Sequence, residues 1–443
     1  MHTKRATIHT LGCRLNQAES GLIADQLAAA GYVIATWGEP ADLGVIHTCT
    51  VTREADAKSR QMIRQFIRAN PAARTVVIGC YAETGAEAVA RIPGVDIVLG
   101  NRDKLDLARH LEALDAEYGE AAGGTPAVRN PKVVRSRAGR EPFTVPWVAD
   151  APTVTRRMNL KIQDGCDFMC SFCAIPFARG RSRSREFDDL VAEARCLVRR
   201  GAKEIVLSGI NVGDYAFGIK TLIDVVDALN GIGGLARVRL ASIELTTIPD
   251  GMLERMADPK HRLTPFLHVP LQSGSDRILA AMRRNYTRAK YLALVRRAAE
   301  AVPDPGIGAD ILTGFPGETD ADFDDSLALL RESPVCFTHV FKYSERRGSA
   351  ASRLPEKTDP AAASVRSESL RALGAAKLRA FQERHLGRTV EVLFEDCHDR
   401  AWRGRTGNYL EVAVHFTEDL TNRLRSVVLE GVDGELLTGR LAD

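Results

Sequence analysis

Short runs of β-branched and aliphatic residues alternate with helix-period segments over residues 1–115. Ala6–Leu11, Tyr32–Ala35, Gly44–Thr48, Thr75–Gly79 and Asp96–Leu99 read as strands. Gln17–Ala30 and Glu54–Asn70 read as helices, the second stopped by Asn70-Pro71. Strands alternating with helices predict a doubly wound parallel sheet. Residues 116–152 lose this periodicity. They hold Gly123, Gly124, five prolines and the basic residues Arg129, Lys132, Arg135, Arg137 and Arg140, and read as a linker.

Alternation resumes over 153–385. Asn159–Gln163, Glu204–Leu207, Arg237–Ala241, Phe266–Val269, Gly306–Leu312 and Phe337–Phe341 read as strands, with helices such as Asp188–Arg200 and Asp320–Glu332 between them. Six such units predict a partial (β/α)6 barrel with its site at the C-terminal ends of the strands. A helical stretch, Asp359–Arg384, ends this unit. Residues 386–443 then switch to short strands, Thr389–Phe394, Tyr409–Val414, Ser426–Gly431 and Leu436–Arg440, which predict a small all-β barrel. The expected fold class is therefore α/β multidomain, with three domains and one linker.

Composition narrows the function. Hydrophobic residues make up 45% and charged residues 26% of the 443, as in soluble globular proteins. No apolar run is long enough for a membrane span, and the N-terminus lacks a signal-peptide pattern, so a cytoplasmic location is expected. Thiols stay reduced there, and the nine cysteines point to metal binding or catalysis rather than a disulfide framework. A net charge of +3 neither requires nor excludes a nucleic-acid partner; any basic surface must be local.

Cys166, Cys170 and Cys173 form a C-x3-C-x2-C run just after the first barrel strand. Zinc usually takes a fourth protein ligand, and no nearby Cys or His has the spacing to supply it. Three thiolates on a [4Fe–4S] cubane leave one iron open to a small chelating ligand. Cys13, Cys49 and Cys80 each follow a predicted strand of the N-terminal sheet, so a parallel sheet gathers them at one edge. Gly12 and Gly79 beside them allow close backbone approach. A second three-cysteine centre follows from that shared position; three small buried residues are the alternative. Cys196, Cys336 and Cys397 lack such partners and read as ordinary small apolar residues.

With both triads in view, the chain resembles the radical S-adenosylmethionine (AdoMet) methylthiotransferase family along its whole length. The matching segments are Thr10–Asn16, Thr48–Thr52, Gly79–Glu83, Ile162–Arg185, His268–Gly274 and Gly314–Thr319. The resemblance implies an N-terminal cluster domain, a radical AdoMet barrel and a C-terminal TRAM module, with two [4Fe–4S] clusters and AdoMet as cofactors. Residues Cys49–Arg60, Ala178–Arg185 and His339–Ser344 look most like the branch that acts on threonylcarbamoyladenosine in tRNA, whereas Ala174 and Phe177 depart from its pattern. Methylthiolation of isopentenyladenosine in tRNA or of a ribosomal-protein aspartate, and a non-enzymatic iron–sulfur RNA-binding role, are the alternatives.

The resemblance further implies that AdoMet cleaved at the Cys166/Cys170/Cys173 cluster activates C2 of the adenosine at position 37, and that sulfur is delivered from the Cys13/Cys49/Cys80 cluster. An electron donor and a sulfur source are implied partners beside the tRNA anticodon loop. AdoMet contacts are expected on loops after the barrel strands: Ser208, Gly209, Asn211, Ser242, Glu244, Gln272, Ser273, Asp310, Thr313 and Gly314. Arg179, Arg181, Arg183 and Arg185 beside the cluster loop are the candidate phosphate contacts. The basic linker is a second candidate, and Arg403, Arg405, Asn408 and Tyr409 a local third.

Overall fold

The computed structural model describes residues 3–118, 131–137, 139–152 and 156–442. Among the expected linker residues, Gly123, Gly124 and Arg129 lie outside these. The N-terminal sheet is all parallel. Its strands are β1 (Arg5–Thr10), β2 (Val33–Ala35), β3 (Leu43–Thr48), β4 (Arg74–Gly79), β5 (Ile97–Leu99) and β6 (Lys132–Val134), in spatial order β2-β1-β3-β4-β5-β6. Strand β6 comes from the segment expected to be a linker, and it pairs with β5 from Lys132↔Ile97 to Val134↔Leu99. Three residues flanked by prolines and arginines carry too little periodicity to be read as a strand from sequence. Strands β3 and β4 are buried along their whole length, as a sheet covered on both faces requires. Helix α1 (Arg14–Ala29) starts directly after Cys13.

Two three-stranded parallel sheets form the central unit. One runs Arg237–Leu240, Glu204–Ser208, Met158–Lys161; the other runs Phe266–His268, Gly306–Thr313, Phe337–Lys342. Bridges Val238↔Leu263 and Ser242↔His268 join them into the expected six-stranded partial barrel. The pleat sorts their side chains. Leu160, Ile205, Leu207, Val238, Leu240, Leu267, Ile307, Ala309, Ile311 and Val340 pack outward in one apolar core with the helices. The alternate positions face the lumen: Asn159, Lys161, Glu204, Ser208, Arg237, Arg239, His268, Asp310, His339 and Phe341. A lumen so rich in charge is built to hold something polar.

The C-terminal unit is a closed barrel of five strands, one more than expected. The extra strand, Ala401–Thr406, pairs with both Thr389–His398 and Glu411–His415. Its Ala-Trp-Arg-Gly-Arg-Thr sequence shows no clean alternation, which hid it. This unit is fastened to the base of the central barrel. Arg239 donates to the carbonyls of Thr406 and Gly407 (3.1 and 2.9 Å), and Arg237 to those of Arg405 and Glu391 (2.8 Å each). Tyr409 stacks on Phe266 with ring centroids 4.4 Å apart.

Candidate functional site

Parallel register brings the N-terminal cysteines together. Thr48 pairs with Gly79, so Cys49 and Cys80 emerge side by side from β3 and β4. Cys13 follows β1, the neighbour of β3 on its other side. Asn16 ties two of the three loops: its amide donates to the carbonyls of Leu11 (2.7 Å) and Thr48 (3.2 Å), while its side-chain oxygen lies 3.8 Å from the Cys13 sulfur. Gly79 is needed where it stands. Its φ is +97°, and a Cβ there would come within 2.7 Å of the Thr48 carbonyl oxygen.

The second triad lies on the loop after Met158–Lys161. Gly165 (φ +75°) turns the chain so tightly that a Cβ would sit 2.0 Å from the Arg181 carbonyl oxygen, and Cys166 then hydrogen-bonds its backbone N–H to Gly180 (3.2 Å). Arg284 donates to the Cys170 sulfur at 3.2 Å and the Ile175 amide to the Cys173 sulfur at 3.4 Å. Arg284 also pairs with Glu244. Burial pushes the thiol of Cys49 up to about 11 and those of Cys166 and Cys173 up to about 12, so bare thiols stay protonated at neutral pH and binding a cluster must release protons. Among the described residues, only His268, Asp310 and His339 bring three ligand-type atoms within 4.8 Å of one another, so neither cysteine triad closes on a single ion. Two open three-sulfur mouths fit a polynuclear cluster better than zinc.

A buried charge cluster locks the two mouths together. Glu19 of α1 binds Lys104 of the N-terminal unit and both Lys161 and Arg179 of the central one. Asp164 binds Lys161, Arg179 and Arg183. Although burial pushes Glu19 up, Arg179, Lys104 and Lys161 together hold it well below the usual carboxylate range. Burial and Lys104 hold His47 well below its ordinary value, so it stays neutral. Arg179 ends the short helix Ile175–Arg179 that follows Cys173, and it also donates to Asn16 at 2.6 Å. One side chain thus spans from the loop of one triad to the residue that ties the other. Asn101 adds a 2.7 Å bond to the Ala178 carbonyl.

This corrects the expectation for the arginine run. Arg179 and Arg185 are buried and committed to carboxylates, Arg185 to Asp189 and Glu193, so neither is a phosphate contact. Arg183 is mostly buried between Asp164 and the ring of Phe143. Arg181 keeps 44% of its side chain exposed beside Asp167. Three of the four residues of the Tyr409 group are corrected likewise, while Arg403 stays exposed. Asn408 is buried against Asp304 and His385, Arg405 pairs with Glu411, and Tyr409 lies under arginines at the barrel base.

The AdoMet candidates divide. Asn211 accepts from the Glu244 amide (3.1 Å) and Thr247 (3.0 Å), and among the described residues its buried Nδ2 makes no close hydrogen bond, with Asp214 near it, which suits a polar ligand. Gly209 lies against Gln163, which accepts from the amides of Ile210 and Asn211 (2.9 and 3.1 Å). Ser208 faces the lumen and donates to Asn159 (3.3 Å). Ser242 and Gln272 (φ +68°) sit at strand ends, bridged to His268 and Ile311. Asp310 holds His268 and His339 at 3.1 and 3.2 Å. Ser273, Thr313 and Gly314 are turned to structural duty, against Ser326, Ala363 and Glu318, and do not join the lumen group. Sequence reasoning missed Arg284, Glu19 and Lys104 because nothing local marks them; their partners are distant in the chain.

The Radical SAM superfamily profile matches residues 160–330, and that of Uncharacterized protein family UPF0004 matches residues 5–100. The chain is 34% identical over 95% of its length to the threonylcarbamoyladenosine tRNA methylthiotransferase MtaB of Bacillus subtilis (strain 168), 92% of which is covered. The chain belongs to the radical AdoMet methylthiotransferase family. It is also similar to the tRNA-2-methylthio-N(6)-dimethylallyladenosine synthase of Sphingopyxis alaskensis, at 36% identity over 88% of this chain and 86% of that one. A solved radical S-adenosylmethionine methyltransferase, TsrM from Kitasatospora setae, shares the fold at 15% identity, with a TM-score of 0.52 over 76% of this chain and 73% of that one. Membership of this methylthiotransferase family implies AdoMet and a [4Fe–4S] cluster, and the Cys166/Cys170/Cys173 mouth beside Arg284 and Asn211 fits both.

Proposed function

We propose that the protein methylthiolates C2 of N6-threonylcarbamoyladenosine at position 37, beside the anticodon of tRNA in the cytoplasm. Cys166, Cys170 and Cys173 would hold the cluster that binds AdoMet, and Cys13, Cys49 and Cys80 a second [4Fe–4S] cluster that presents sulfur. Cluster and AdoMet together supply hydrogen abstraction from an unactivated carbon, which no side chain can perform. The chain's own residues do the positioning. Asn211 and Glu244 line the AdoMet side of the lumen, Arg284 orients the Cys170 sulfur, and Arg179 fixes the distance between the two mouths.

The observation that carries this reading is the Arg179–Glu19 lock. It joins a second three-cysteine mouth to a complete radical AdoMet loop, an arrangement that a binding protein would not need. Full-length similarity to threonylcarbamoyladenosine enzymes favours that substrate. The dimethylallyladenosine relatives supply the second reading. An external electron donor and a sulfur source complete the reaction.

The test loads the protein with iron and presents three substrates: threonylcarbamoyladenosine tRNA, isopentenyladenosine tRNA and the ribosomal protein. Wild type should carry roughly eight irons, as two cubanes require. The Cys166/Cys170/Cys173 triple alanine variant should lose about half of them and all AdoMet cleavage. The Cys13/Cys49/Cys80 triple alanine variant should cleave AdoMet yet form no methylthio product. Turnover of the isopentenyl tRNA alone would overturn the branch, and turnover of the ribosomal protein alone would overturn the RNA assignment.

A further inference from the structure

The base of the lumen holds more positive than negative charge. Arg157 pairs with Glu395, Arg237 with Glu391, Arg239 with Glu204, and Arg405 with Glu411. Arg14, next in the chain to Cys13, reaches into the same group. Among the described residues it has no carboxylate partner; its guanidinium meets the Tyr409 hydroxyl, 5.6 Å from that ring's centroid. Arg157, Arg239 and Arg405 crowd the same ring at 5.9, 5.1 and 4.6 Å. Burial, with Arg157, Arg239 and Arg405 adding to it, lowers the proton affinity of Arg14. The Tyr409 phenol is pulled below its ordinary value by these arginines despite burial.

Above this base lies the lumen layer of His268, Asp310 and His339, all within one hydrogen-bonded group. His339 leaves 63% of its side chain exposed, and its bond to Asp310 raises its proton affinity. Phe341, two residues on and facing the same way, is also exposed. Cys13 and Gln17, one turn apart at the start of α1, are exposed on the side where Gln17 approaches Asn159 of the lumen at 3.5 Å. The lumen is therefore faced by a cluster-mouth cysteine and an unneutralised guanidinium at the start of α1, packed on Met158–Lys161, and by an accessible imidazole and an aromatic ring on Phe337–Lys342, with the charge of Arg14 acting on His339. A half-buried guanidinium without a counter-anion is costly, and a structure retains one where a ligand supplies the anion.

We infer that Arg14 is a specificity residue that binds the carboxylate of the substrate's N6 substituent, with Tyr409 holding the guanidinium and His339 flanking the carboxylate. This rests on the threonylcarbamoyladenosine reading, since that substituent ends in a free carboxylate and an isopentenyl group has none. The site selects against uncharged substituents because a neutral group leaves the guanidinium buried without an anion. It also places the recognised end of the substituent one residue from Cys13, so recognition and sulfur delivery depend on the same short stretch of chain.

The test uses the iron-loaded protein and anticodon stem-loops carrying threonylcarbamoyladenosine as the free acid or as its methyl ester. Wild type should prefer the acid by at least about tenfold in both Kd and kcat/KM. Arg14→Gln should bring the two substrates within about twofold of each other, and Arg14→Lys should restore most of the preference. Iron content of Arg14→Gln should match wild type. Equal binding of acid and ester by wild type would overturn the inference without any variant. So would an Arg14→Gln protein that kept the full preference. If wild type turned over only the isopentenyl stem-loop, the substrate reading itself would fail, which is a different outcome.

Discussion

Glu19 is the residue on which the junction of the two cysteine mouths turns. It is fully buried and faces Lys104, Lys161 and Arg179, with Asp164 as the second anion of the group. Glu19→Gln would leave Lys104 without its carboxylate and Lys161, Arg179 and Arg183 sharing Asp164, a loss of about 3–5 kcal/mol for breaking such a pair. The sign with pH follows from the depressed proton affinity. Glu19 titrates in the folded protein well below its ordinary 4.5, so its stabilisation is fully present above that value and is lost as pH falls through the folded value. Urea midpoints of wild type should therefore drop as pH is lowered below 4.5. The Glu19→Gln protein should start lower at pH 7 and fall less steeply in acid. A variant with the wild-type midpoint and slope would show that the cluster carries no net stability. The cysteines were legible in the sequence because their positions, just past strand ends, follow from topology. Glu19 was not, because its partners lie 85, 142 and 160 positions away.

At the scale of elements, the sheet's strand ends deliver the chemistry. Most strands and long helices were readable from apolar period, and helix Asp320–Glu332 starts and stops where its Thr319 cap and pattern place it. Strand β6 and Ala401–Thr406 were not, since both are short and carry more charge than alternation. The arginine run misled for a related reason. A row of charges reads as a surface, but Gln163–Asp164 pairs with Arg183–Ser184 and draws part of the run inward to Asp164. At the end of β4, Gly79 holds a backbone shape that other residues rarely adopt, with His47 and Thr48 against it. Gly79→Ala should displace Cys80 and lower iron loading toward half, leaving AdoMet cleavage at the other loop intact. Full iron with full methylthiolation in that variant would mean the strand end tolerates the shift. Loss of both activities would mean that the two mouths are not separable.

For the whole molecule, the exposed basic groups near the cluster loop are the ones whose contribution to tRNA binding can be tested. Arg140 and Arg181 both lie beside Asp167, with 66% and 44% of their side chains exposed, next to a cavity of about 510 Å3 that Phe168, Ser182 and Asn285 help to line. Phosphates drawn there would release counterions and make binding salt-dependent. Replacing Arg140 and Arg181 together with Ala should weaken tRNA binding and flatten the log–log salt slope by about 1–2. Arg185→Ala should instead lower stability, since Arg185 is buried on Asp189 and Glu193. An unchanged slope in the double variant would place the phosphate grip elsewhere.

The turn Thr406–Tyr409 has a consequence for how the molecule comes to be. It closes the lumen from below, yet it is translated after every strand that it seals. Until it arrives, the nascent barrel stands open at that end. Arg237 and Arg239 then lack the carbonyls that later receive them. The seal at the base therefore cannot form until that turn has been made.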